Sequence, residues 1–370
     1  MPAPEESLIV VGADATVQVS LEPVHNLIHS LMLLAKADNI SGLDQWIDQT
    51  RARMTAEEAA RHRLVMIGFY FALQPQESLP SFAVYLEELS NVPAEQLRAR
   101  LLDFYARIPP REGDLCHKVG DEILPIDRDA VLASPEAYLA FLHERFQDDH
   151  VDEALERQAY ALVVDPPAMK QVLLSHLQVM WEKYLQPEWK RVRPMLSSAV
   201  EAFNRVDLGK MERLEAARFV TGQTLEDDHW LEPLQSAERV IFVPSAHVGP
   251  YLGSFWRGKT FGMIFGARLP AGTDVQAPDL SRAEIVVRLS ALADDTRLRI
   301  LKLIAEEGEL RSQVIMEQLE LSQSATSRHL KQLSATGYLS ERRCAGAKCY
   351  RLNRERIDDT LDAVASFLIG

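Results

Sequence analysis

The stretch that most constrains the fold is residues 321–333, LSQSATSRHLKQL. Ser322 stands where a helix N-cap is expected, its hydroxyl placed to accept from the free backbone N–H groups of a first turn. A helix starting at Gln323 then carries Thr326, Leu330 and Leu333 at spacings of four and three, on one buried face. The opposite face holds Gln323, Ser324, Ser327, Arg328 and Lys331, side chains that reach base edges and phosphates when a helix N-terminus enters a major groove. Upstream, Val314, Ile315, Leu319 and Leu321 give a supporting helix its apolar side, and only a short turn fits between the two. Downstream, residues 338–343 and 349–351 flank Gly346 and predict a two-stranded hairpin. This wing carries Arg342, Arg343, Lys348 and Arg351. From 322 to 356, eight Lys/Arg stand against two Glu, a density suited to a polyanion. A charge run by itself is ordinarily a solvated face. Cap, buried triad, polar face and basic hairpin together predict a winged helix-turn-helix on duplex DNA.

The run ALADDTRLRILKLIAEEGEL from Ala291, then LSQSATSRHLKQL, then GYLSERRCAGAKCYRL from Gly337, resembles the ArsR family of bacterial transcriptional regulators. The resemblance covers residues 281–370. It implies a dimeric winged helix whose operator affinity an inducer alters, with residues 283–292 and 357–368 forming the dimer contact. Metal-sensing members carry a Cys-x-Cys pair just after the Glu-Leu, where this chain has Arg311, Ser312 and Gln313, and an arginine supplies no thiolate. Other members bind zinc through Asp and His on the last helix, where Asp358, Asp359 and Asp362 occur without His. The resemblance therefore implies a metal-independent regulator, with no metal ligand, cofactor or catalytic residue expected. Asp295 stands where the family usually has proline, and an acid at a first helical position suits the helix dipole.

Net charge is −14 over 370 residues, which alone argues against a nucleic-acid binder. Its distribution removes the conflict. Residues 281–370 hold 14 basic and 13 acidic side chains, whereas the rest hold 26 and 41. We expect three parts: a helix-rich N-terminal ligand-sensing or interaction domain at 1–268, a Pro/Gly-rich linker at 269–280, and the DNA-binding and dimerisation domain at 281–370. The fold class is mainly α, of the α+β type, with a few strands in the larger domain. Residues 7–22 predict one or two strands, and 239–244 and 260–267 two more. Helical periodicity covers 24–37, 42–54, 55–73, 80–89, 93–108 and 134–146, with a loop at 109–129. Two long helices, 166–185 and 187–206, are expected side by side, then one from Gly209 to Thr221. The longest apolar run, 64–73, is too short to span a bilayer. An acidic N-terminus without signal layout and three Cys without framework spacing point to the cytoplasm.

Met180, Trp181, Tyr184 and Trp189 form a candidate effector pocket. Met and aromatic residues at helical spacing usually build core, but they also line adaptable pockets, and a regulator without a metal site needs an inducer. Glu188, Lys190, Arg191 and Arg193 beside Trp189 would suit an acidic ligand. Weaker constellations read as structure: His25 and His29 at i, i+4 lack a third ligand, adjacent Cys116 and His117 lack an orienting acid, and Ser245 with His247 lacks a nucleophile elbow. His329 reads as a half-buried hydrogen-bonding residue. A turn centred on Gly346-Ala347 would put Cys344 opposite Cys349, allowing a cross-strand disulfide. Two other readings stand beside the effector-controlled regulator: an enzyme with an appended DNA module, and a regulator controlled by a protein partner.

Overall fold

The computed structural model describes residues 16–37, 43–110, 123–146, 151–223, 225, 228–270, 282–344 and 347–369. Among them, no helix is long and apolar enough to cross a membrane. The chain divides into two compact units: Pro23–Lys36 with Gln49–Lys190, and Met1–Glu22 with Ala37–Asp48 and Arg191–Gly370.

The first unit is helical, and five of its helices begin where polar caps stand. Thr55 and Glu58 form a reciprocal capping box on Ala56–Gly68. Ser81, Ser134, Asp152 and Asp165 accept the free N–H groups of Phe82–Asn91, Pro135–His143, Glu153–Val163 and Pro166–Met180. Leu31, Val65, Phe69, Leu101, Leu173 and Leu177 are among the residues that close the core. Into it two imidazoles are built: His62 Nε2–H donates to the Leu31 carbonyl at 2.9 Å, leaving His62 Nδ1 to accept from His176 Nε2–H at 3.0 Å.

Three expectations change here. The two helices expected at 166–185 and 187–206 are one helical run, Pro166–Met180, a π turn Trp181–Leu185, and Gln186–Asn204. The Gln186 N–H bonds to the Trp181 carbonyl, five residues back, and this wider turn admits Pro187 without breaking the helix. The stretch 55–73 divides at Gly68 into Ala56–Gly68 and a 3-10 turn, Tyr70–Leu73. Within the loop expected at 109–129, a short helix, Arg128–Val131, begins; Cys116 and His117 lie outside the described residues.

The second unit holds a four-stranded sheet of order β1 (Val17–Val19), β2 (Arg239–Ser245), β4 (Thr260–Gly266) and β3 (Gly253–Arg257). The pairs β1–β2 and β2–β4 are parallel, and β3 runs antiparallel at the edge. Both faces of β2 and β4 are covered, which is why their sequences run apolar instead of alternating. Val240, Phe242, Phe261, Met263 and Phe265 pack with Phe203 and Val220, while Ile241, Val243, Phe255 and Ile264 form a second cluster. Of the strands expected at 7–22, β1 is the described part; residues 7–15 lie outside the description.

The last ninety residues give Arg282–Leu292, Asp295–Glu307, β5 (Leu310–Arg311), Ser312–Gln318, Gln323–Ala335, β6 (Leu339–Cys344), β7 (Ala347–Leu352) and Arg354–Ile369. Ile300, Ile304, Ile315, Leu330, Leu333 and Tyr338 are central to their core. Asp294 caps the second helix by accepting from Arg297 N–H at 2.9 Å, which places Asp295 at the first helical position. The linker expected at 269–280 lies, beyond Pro270, outside the described residues.

Candidate nucleic-acid interface

The interface is built outward from the helix Gln323–Ala335. Ser322 Oγ accepts from Ala325 N–H at 3.2 Å, so the helix starts where its cap dictates. Thr326, Leu330 and Leu333 are buried against the supporting helix and wing, and the periodicity leaves Gln323, Ser324, Ser327, Arg328 and Lys331 all exposed. The turn from the supporting helix Ser312–Gln318 passes through Glu320 at φ 53, left-handed backbone that a non-glycine residue seldom adopts. That tight passage fixes the angle at which the second helix is presented.

Behind the exposed face lies a polar layer that spacing did not reveal. Arg297 is buried, donating from Nε to the Ala291 carbonyl at 2.6 Å, from Nη2 to Ser290 at 2.7 Å, and from Nη1 to Gln332 Oε1 at 2.8 Å. It ties the end of Arg282–Leu292 to the back of the exposed helix. Gln332 is buried too, at a position adjoining the triad's face, and its partner lies 35 residues away, beyond any periodicity argument. His329 is buried instead of half-buried, and its Nδ1 is 3.9 Å from Asp294, too far for the hydrogen bond expected of it. Burial lowers its pKa, Asp294 opposing, so the imidazole is neutral at pH 7.

The wing forms as a three-stranded sheet of order β5-β7-β6, one strand more than the sequence suggested. Its register pairs Arg343 with Lys348, Arg342 with Cys349, Ser340 with Arg351 and Cys344 with Ala347. Positions 343 and 348 therefore share one face and 342 and 351 the other, so the four basic positions do not form one patch. Lys348 Nζ lies 3.0 Å from Glu341 Oε1, and Arg351 is exposed. The register also corrects the cysteines. Position 344 pairs with Ala347 and Cys349 with position 342, so positions 344 and 349 are diagonal and not opposite as expected; Cys349 is disulfide-bonded.

The candidate effector residues lie along the single long helix. Met180 and Tyr184 are buried, one turn apart, and Trp181 stacks on Phe82 with centroids 5.3 Å apart. Trp189 follows half-buried, more than a turn beyond Tyr184. Of the remaining pairs, the Ser245 hydroxyl accepts from the His247 backbone N–H at 3.3 Å, a local turn bond. His25 is buried and His29 half-buried on Pro23–Ala35.

A capped, outward-facing polar helix set by a tight turn against a supporting helix and followed by a β-wing defines a winged helix-turn-helix of the DNA-binding type. The family profile described as bacterial regulatory protein, arsR family, matches residues 294–341. The chain is 34% identical over 87 residues to the transcriptional activator HlyU of Vibrio cholerae, covering 24% of this chain and 80% of that protein. It is 52% identical over 64 residues to the arsenic resistance transcriptional regulator ArsR1 of Pseudomonas putida, and 46% over 65 to ArsR2 of the same organism. Those matches take 17% and 18% of this chain and 50% and 56% of the relatives, so the chain spans about half their length. The chain belongs to the ArsR family of bacterial regulatory proteins.

Proposed function

We propose that the chain is a transcriptional regulator, a repressor, that binds a pseudo-palindromic operator as a homodimer and adjusts that binding to a small-molecule effector. The observation that carries the reading is the exposed face of Gln323–Ala335, where five side chains able to contact DNA stand over a buried apolar and polar base. Gln323, Ser324, Ser327 and Arg328 occupy the first turns and read base edges. Lys331 and, on one face of the wing, Arg342 and Arg351 hold phosphates, positions 343 and 348 lying on its other face. Val286 and Leu289 on Arg282–Leu292, and Leu361 and Phe367 on Arg354–Ile369, are exposed apolar side chains on the two helices assigned to the dimer contact. A second copy would cover them and set two recognition helices about one turn of DNA apart.

In this reading residues 281–370 bind DNA and dimerise, 1–268 sense, and 269–280 connect them. The effector acts on the helical part, with Met180, Trp181, Tyr184 and Trp189 as candidate contacts, and the protein works in the cytoplasm without metal or catalysis. The test is a site selected from a random duplex library, titrated beside a random duplex. Arg328→Ala should cost about 1–3 kcal/mol on the selected site and little on the random one. Arg351→Ala should weaken both alike and reduce the salt slope by about one. Equal losses on both duplexes for Arg328→Ala would contradict the assignment.

A further inference from the structure

Lys331, assigned above to a phosphate, does not stand in open solvent alone. Its ammonium lies 6.0 Å from the centroid of the Tyr251 ring, at the reach of a cation-π contact. Tyr251 belongs to the connection between β2 and β3, in the same compact unit as the winged helix but 80 positions away in sequence. Beside Lys331 on the helix, Gln332 is held by Arg297 Nη1 at 2.8 Å.

The connection that presents Tyr251 is built rigidly. The Ser245 carbonyl at its start takes the Ala267 N–H at 2.9 Å, and Ser245 Oγ takes the His247 N–H at 3.3 Å. His247 is buried, its ring stacked on Trp46 with centroids 4.5 Å apart. Gly249 adopts φ 60, and its carbonyl passes so close to Gly266 that a Cβ there would approach it to 2.6 Å. Gln223 Nε2 holds the Pro250 carbonyl at 2.6 Å, and the Tyr251 N–H closes a turn on the Val248 carbonyl at 3.2 Å. A loop held by four hydrogen bonds, a ring stack and a close glycine pair does not put an aromatic ring beside a recognition-helix cation by drifting there.

We propose that Tyr251 is a latch on the recognition helix: its ring engages Lys331 and blocks that side chain from a phosphate until the ring is swung aside. Resting on the DNA-binding reading above, this makes the β2–β3 connection the part of the sheet through which a signal reaches the operator-binding face. Displacing the ring costs binding free energy that a variant without it does not spend.

The test uses the full-length chain and a random 30-base-pair duplex, titrated across a range of salt. Tyr251→Ala should bind roughly two- to fivefold more tightly than wild type, with a salt slope steeper by about one phosphate contact. Tyr251→Phe, which keeps the ring, should match wild type. In a Lys331→Ala background, Tyr251→Ala should have no effect. Equal or weaker binding by Tyr251→Ala, or the same gain with and without Lys331, would overturn the latch. Wild type and Tyr251→Ala both failing to bind any duplex would instead overturn the DNA-binding reading. A wild type that fails where Tyr251→Ala binds would support both.

Discussion

Glu156 is only 7% exposed, and its Oε2 has no hydrogen-bond partner among the described residues. Burial raises its pKa to about 7, with Asp152 adding to the shift. Unfolded, the same group titrates near 4.5. Between these values the folded chain holds a proton that the unfolded chain has lost, so Glu156 weakens the fold as pH rises from 4.5 to 7. Glu156→Gln should therefore leave stability near wild type at pH 4.5 and raise it by about 2–3 kcal/mol at pH 8, read from urea midpoints. His62 and His176 act in the opposite sense. Burial lowers their pKa values to about 4 and about 3 from an ordinary 6.5. Below pH 6.5 unfolding takes up protons, and stability falls as pH drops toward 4, by up to about 3 kcal/mol for His62. His62→Phe should flatten that limb of the curve; an unchanged slope would show that the pair is not buried neutral. Sequence indicated none of this, since Glu156, His62 and His176 sit on three helices and meet their surroundings only when those helices pack.

Among the elements, what was legible was local. The cap at Ser322 and the spacing of Thr326, Leu330 and Leu333 depend on residues within four positions of each other, so helix and face could be read directly. Proline misled because its rule is local too: Pro187 normally ends a helix, but the π turn before it absorbs the ring. Strand β3 was missed because GSFWR is short and lies in Gly- and Pro-rich chain. What fixes β3 is a cross-strand fit: Phe255 pairs with Gly262, and a Cβ on Gly262 would come within 2.2 Å of the Phe255 ring. Gly262→Val should thus destabilise the second unit by at least about 2 kcal/mol, and Phe255→Ala in the same chain should recover part of it. Additive losses in thermal melts would show that the ring does not set the requirement at Gly262.

At the scale of the whole molecule, the acidic excess lies in sequence outside residues 281–370, which hold 14 basic and 13 acidic side chains. The exposed apolar residues on Arg282–Leu292 and Arg354–Ile369 make the 41.7 kDa chain incomplete by itself in this account. Leu361→Glu with Leu289→Glu should shift the protein toward monomer and cost far more affinity on a selected palindrome than on one half-site, because the two copies then no longer bind as one. The identity of the effector could not be read from sequence, because the aromatic and Met residues of the long helix serve core packing and ligand contact with the same chemistry. The most direct test of the central claim is sedimentation of the full-length protein with a labelled duplex at low ionic strength. A species of twice the chain mass should bind the duplex and release it as salt rises. A monomer that leaves every duplex unbound would contradict it.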